Sequence, residues 1–196
     1  MTKKTSVLPI LAALVFWAAS PPLAAQDEVS RNLNMAGTAY QGGDYLGALD
    51  ALWAAQEEVW RRAPLGVRNV AFVTDHPDGF GSYQPRDGED FKAPEPLIIY
   101  CEPIGFTQAK TGDTYKYSII GAFDILDSSG QVIGGQKNLG PWEQSGYRTF
   151  STETMFTMTI GIQGLAAGSY VMRVTLTDNL DQAKSVQLEK PFNIVE

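Results

Sequence analysis

The sequence predicts a mainly β protein, a seven-stranded antiparallel sandwich preceded by an α-helical hairpin. Three observations predict it. Apolar residues between 27 and 62 recur at three- and four-residue steps, the period of a helix. From Val67 onward the pattern changes to alternation, the period of a strand. No helix-length amphipathic stretch interrupts these later segments, which leaves no room for parallel crossovers.

The chain divides accordingly into residues 1–25, a signal peptide; 26–64, the hairpin; and 65–196, the β part. Lys3 and Lys4 form a positive start, Val7 to Ala19 is an uncharged and mostly apolar run, and Leu23-Ala24-Ala25 offers small residues for cleavage. This is the tripartite secretory pattern, and the apolar run is short for a bilayer span. Cleavage near Ala25 leaves Gln26 first and implies a periplasmic or secreted protein with no stable membrane insertion afterwards. No Cys follows the site, so no lipid anchor is expected.

In the hairpin, Asp27 and Glu28 open the first helix, Gly42-Gly43 ends it, and Asp44 caps the second. Tyr45, Leu49, Leu52, Trp53, Gln56, Val59 and Trp60 form one stripe, apolar or aromatic except for Gln56. Arg61 and Arg62 suit the C-terminal end of the helix dipole, and Pro64 stops the helix. Ala39-Tyr40, Gly43-Asp44-Tyr45, Ala48, Leu52 and Ala55 resemble one tetratricopeptide repeat, with Tyr40 and Gly43 one residue closer than usual. Such repeats bury their faces on neighbours, and only one copy is present. The stripe, with Leu49, Trp53 and Trp60 as its interaction residues, is therefore expected to pack on the chain's own β part in preference to a partner.

Seven segments read as strands: Val67–Thr74, Pro96–Glu102, Tyr115–Leu126, a return strand from Gln131, Thr149–Ile162, Gly168–Thr177 and Ala183–Val195. Asp127-Ser128-Ser129-Gly130 is a turn between the third and fourth. Tyr170, Met172, Val174 and Leu176 should face inward, as should Phe192 and Ile194. The stretch Gly164-Leu165-Ala166-Ala167-Gly168-Ser169-Tyr170 and the alternation after it resemble the final hairpin of bacterial immunoglobulin-like or fibronectin-like modules. That resemblance implies an immunoglobulin/fibronectin-like sandwich. The whole mature chain is similar to uncharacterised exported bacterial proteins with a Gly-Phe-Gly-x-Tyr loop before an apolar strand, a likeness that implies no activity.

The formal charge of −7 becomes −9 once Lys3 and Lys4 are removed, which disfavours nucleic acid as a partner. Cys101 is the only cysteine, so no intrachain disulfide forms, and its strand reads as buried. His76 is the only histidine and lies in a turn, and no Gly-x-Ser-x-Gly elbow is present. Asp75, Asp78, Asp87, Glu89 and Asp90 crowd one loop that could hold calcium but reads better as a solvated turn. No metal and no cofactor are expected. Glu102 and Asp124 are the carboxylates a hydrolase would use.

The long segment from Asp75 to about Lys92 is the most unusual. Phe80, Tyr83, Arg86, Tyr100, Glu102 and, from a second loop at Gly140–Tyr147, Trp142 are the candidate binding residues. Either the loop is pinned down with Arg86 paired to Glu102, or it forms an aromatic-lined patch with Arg86 as polar anchor. The expected role is an exported, non-enzymatic binding or interaction module that contacts a periplasmic protein or envelope component. The alternatives are a carbohydrate-binding or glycoside-hydrolysing domain and a self-associating structural domain.

Overall fold

The computed structural model describes residues 27–196; the segment read as a signal peptide lies outside the described residues. Two helices come first, α1 (Glu28–Gln41) and α2 (Tyr45–Arg62). Asp44 caps α2 as the sequence predicts, accepting from the Gly47 amide at 2.9 Å, and Asp27, expected to open α1, also caps it by accepting from the Ser30 amide at 2.8 Å. Gly43 takes φ 80°, the left-handed conformation the tight inter-helix turn requires. Ala36 of α1 and Ala48, Ala51 and Ala55 of α2 are buried, small side chains where the two helices meet. Among the described residues no helix is long and apolar enough to cross a membrane.

The rest is β structure, so the protein is mainly β with two helices at its N-terminal side. Among the described residues nine strands form: β1 (Gly66–Phe72), β2 (Asp90–Lys92), β3 (Leu97–Ile104), β4 (Ala109–Thr111), β5 (Thr114–Leu126), β6 (Val132–Tyr147), β7 (Phe156–Ile160), β8 (Gly168–Asp178) and β9 (Ser185–Val195). One sheet has the order β1-β3-β7. The other has the order β2-β9-β8-β5-β4, with β6 also paired to β5. The sheets curl into a half-barrel around one core that includes Leu97, Ile99, Phe106, Ile119, Met172, Leu176 and Phe192.

The strand count therefore differs from the expected seven. β2 and β4 are three residues each, too short to show a period. β2 pairs in parallel with β9, so the pairing is not wholly antiparallel. The predicted loop Gly140–Tyr147 is strand, the second half of β6. β6 is an edge strand that is mostly exposed, so it has no buried face to write alternation into its sequence. The predicted strand Thr149–Ile162 contracts to β7.

β3 explains the continuous apolar run. Leu97, Ile99 and Cys101 enter the main core, while Ile98 and Tyr100 form a second cluster with Val73, backed by Tyr83 and Met155. The segment between β1 and β2 thus lies over the outer face of the first sheet.

The hairpin is seated by the end of α2. Trp60 is buried, its indole Nε1 donates to the Phe106 carbonyl at 2.9 Å, and its ring meets Phe106 and Phe150 edge-on at 5.1 and 6.0 Å. Gly105 is obligatory beside it: φ is +73°, and a Cβ there would stand 2.2 Å from the Pro64 carbonyl oxygen. The rest of the stripe does not pack on the β part as expected. Leu49 and Trp53 are 45% and 63% exposed. The α2 face turned to α1 is its alanine face, and Trp60 in the last turn makes the buried contact with the β part, so the remaining stripe stays in solvent.

Candidate functional site

The structure splits the predicted binding residues. Tyr83 stacks on Tyr100 with ring centroids 4.1 Å apart. The Tyr100 hydroxyl donates to Glu102 Oε1 and accepts from the Gly81 amide, both at 2.8 Å. Asn69 Nδ2 donates to Glu102 Oε2 at 2.7 Å. Asn69 sits at φ 50° where the β1–β3 register shifts, so a bulge turns its amide toward the carboxylate. Glu102 is buried, and no cation pairs with it among the described residues. Burial pushes Tyr100 up to about 12, and the bond to Glu102 adds to the shift.

Arg86 does not pair with Glu102. It pairs with Glu95, donates to the Asp90 carbonyl at 2.6 Å, and lies 4.2 Å over the Phe91 ring. Both Arg86 and Glu95 belong to the segment leading into β3, whereas Glu102 is taken by Tyr100 and Asn69 first. Phe80 remains on the surface. Trp142 is elsewhere, on β6, edge-on to Phe156 at 6.0 Å. With Phe123, Leu139 and Met158 it lines a mostly apolar groove of about 360 Å3 between β6 and β7. The aromatic patch is thus not assembled; most of its members hold the loop down.

The other chemical candidates are dispersed as well. Burial raises the Cys101 thiol to about 12, which disfavours the thiolate form. Asp124 pairs with Lys137 at 2.6 Å. His76 Nε2 lies 3.4 Å from Thr159 Oγ1 on the surface. Asp90 accepts from Asn193 at 2.8 Å, and among the described residues no group of three His, Cys, Asp or Glu is placed around a metal position.

The structure instead forms a cleft where the hairpin meets the β part, with a volume of about 530 Å3. α2 contributes Trp53, Ala54, Gln56 and Glu57. Tyr115 of β5 forms the floor side, and the connection from β6 to β7 supplies Arg148, Thr149, Phe150 and Thr152. The aromatic wall is fixed: Phe150 is held edge-on by Trp60 at 6.0 Å and by Tyr115 at 5.9 Å, and Arg61 lies 5.6 Å over its ring. Glu57 is already engaged by Arg61. Gln56, Arg148, Thr149 and Thr152 make no side-chain hydrogen bond or ion pair among the described residues. None of these last four was singled out as a site residue from the sequence. The available signal was Gln56, the one polar residue in an otherwise apolar stripe.

No family model matches the chain, and no curated protein matches it. Solved structures that match include the alkylpurine DNA glycosylase AlkC of Pseudomonas fluorescens, bound to DNA containing an abasic site analog. The identity is 10% and the TM-score 0.28, over 86% of this chain and 47% of that one. This chain spans about half the length of that protein. A DNA-bound enzyme differs from the expected non-enzymatic module with a periplasmic protein or envelope partner and no nucleic acid, and that expectation is not carried forward. At this TM-score the likeness carries no argument for what the present chain binds.

Proposed function

We propose that the chain is a ligand-binding protein whose site is the cleft at the foot of the hairpin. One observation carries this reading: four polar side chains without protein partners converge beside a fixed aromatic wall. In a folded protein, polar groups that line a concavity and engage nothing are available to a ligand. The volume lies within the range typical of small-molecule sites. The groove between β6 and β7 is smaller and lined mainly by apolar side chains. A ligand in the cleft touches α2 and the β part together, so it stabilises their contact by mass action.

A fragment screen by ligand-observed NMR tests the reading, with Thr152→Trp as the control that fills the cleft. Fragments that bind the wild type and lose contact with Thr152→Trp support it. Hits that persist unchanged in a folded Thr152→Trp protein, or a screen without hits, overturn it.

Two further readings rest on the sequence. The tripartite pattern at residues 3–25 supports export, with a mature protein beginning at Gln26, which N-terminal sequencing of the secreted product checks. The β8–β9 hairpin, entered through Gly168 and Tyr170, supports an immunoglobulin/fibronectin-like origin for the β part.

A further inference from the structure

Charge and chemistry within the cleft narrow the ligand. Glu57 and Arg61 neutralise each other, which leaves Arg148 as the one uncompensated charge among the lining residues. The whole chain carries −7, so this is a local positive site on an acidic protein. A guanidinium presents a planar fork of donors that matches a carboxylate. The hydroxyls of Thr149 and Thr152 and the Gln56 amide stand in the same cleft as additional donors. No lysine lines the cleft, and the cleft lies along the C-terminal half of α2, so no helix N-terminus faces it. One guanidinium without a second cation suits a single negative charge better than a phosphate dianion. The exposed Trp53 indole lines the same cleft, beside the half-buried Phe150, and offers an apolar face to an aromatic or aliphatic body.

Resting on that reading of the cleft, we infer that its ligand is a monocarboxylate with an apolar or aromatic body, the carboxylate taken by Arg148 and the body laid against Trp53. A free small acid and the C-terminus of a peptide share this chemistry.

Titration calorimetry with N-acetylphenylalanine, its primary amide, and a short peptide ending in a free phenylalanine carboxylate tests the inference. The wild type should bind the acid at least about tenfold more tightly than the amide, the usual scale of a hydrogen bond to a charged group. Arg148→Gln should erase that preference, and Arg148→Lys should keep part of it. Arg148 is exposed and unpaired among the described residues, so its variants should fold normally. Peptide binding equal to that of the acid assigns the site to a peptide C-terminus; binding of the acid alone assigns it to a free acid, and both outcomes support the inference. Equal binding of acid and amide, lost only in Thr152→Trp, overturns the carboxylate and leaves the cleft standing. Acid binding that survives Thr152→Trp, or no binding by any probe, overturns both.

Discussion

Trp60→Ala removes the side chain that joins α2 to the β part. The indole is 7% exposed, meets Phe106 and Phe150 edge-on, and donates to the Phe106 carbonyl. Truncating a buried tryptophan costs about 3–5 kcal/mol through lost burial and the cavity it leaves. Trp60→Phe separates the two contributions: it keeps most of the apolar contact, removes the donor, and leaves a buried carbonyl unpaired, at about 1–3 kcal/mol. Urea unfolding followed by far-ultraviolet circular dichroism measures both. The alanine variant should lose clearly more than the phenylalanine variant. Its unfolding should also broaden or split as the hairpin melts separately from the sheets. Equal losses in the two variants would show that indole packing plays no part. A loss below about 1 kcal/mol in Trp60→Ala, far under the core range, would show that the hairpin is held elsewhere.

Gly121→Ala places a Cβ 2.5 Å from the Phe156 ring, so it should lower thermal stability by about 1–3 kcal/mol of overpacking; an unchanged melting midpoint refutes this. Asn69→Ala removes a donor to the buried Glu102 carboxylate and puts alanine, which tolerates the left-handed region less well than asparagine, at φ 50°, a loss of about 1–3 kcal/mol by chemical denaturation. Tyr100 and Tyr117 should titrate near 12, not 10, in an ultraviolet pH titration. Both folded values are raised, so their contribution to stability is complete below pH 10 and is lost as the pH rises toward 12.

What was legible in the sequence was local or strongly periodic. The caps at Asp27 and Asp44 needed only a polar residue before a helical run. Met172, Val174, Leu176, Phe192 and Ile194 are buried because two adjacent strands turn one face to a single core, and alternation records that directly. β6 escaped because exposure on both faces leaves nothing for alternation to record. Arg86 was matched to Glu102 on charge alone. The sequence names the charges but not their directions, and Glu102 points with Tyr100 to the outer face of β3, where Asn69 meets it.

The cleft was illegible for a different reason. Its lining comes from residues 53–57, from Tyr115 and from 148–152, three stretches that are unremarkable separately. They meet because α2 is fixed at one end. Trp60 in its last turn is pinned between Phe106 and Phe150, and Gln56, one turn earlier, shares its side of the helix. The same Phe150 that receives Trp60 forms the wall of the cleft. The contact that seats the hairpin therefore also builds the site, and Gln56, still exposed, is the polar member of the stripe where it borders the cleft. On this account Trp60→Ala should weaken binding of N-acetylphenylalanine even where the helices persist, although Trp60 does not line the cleft.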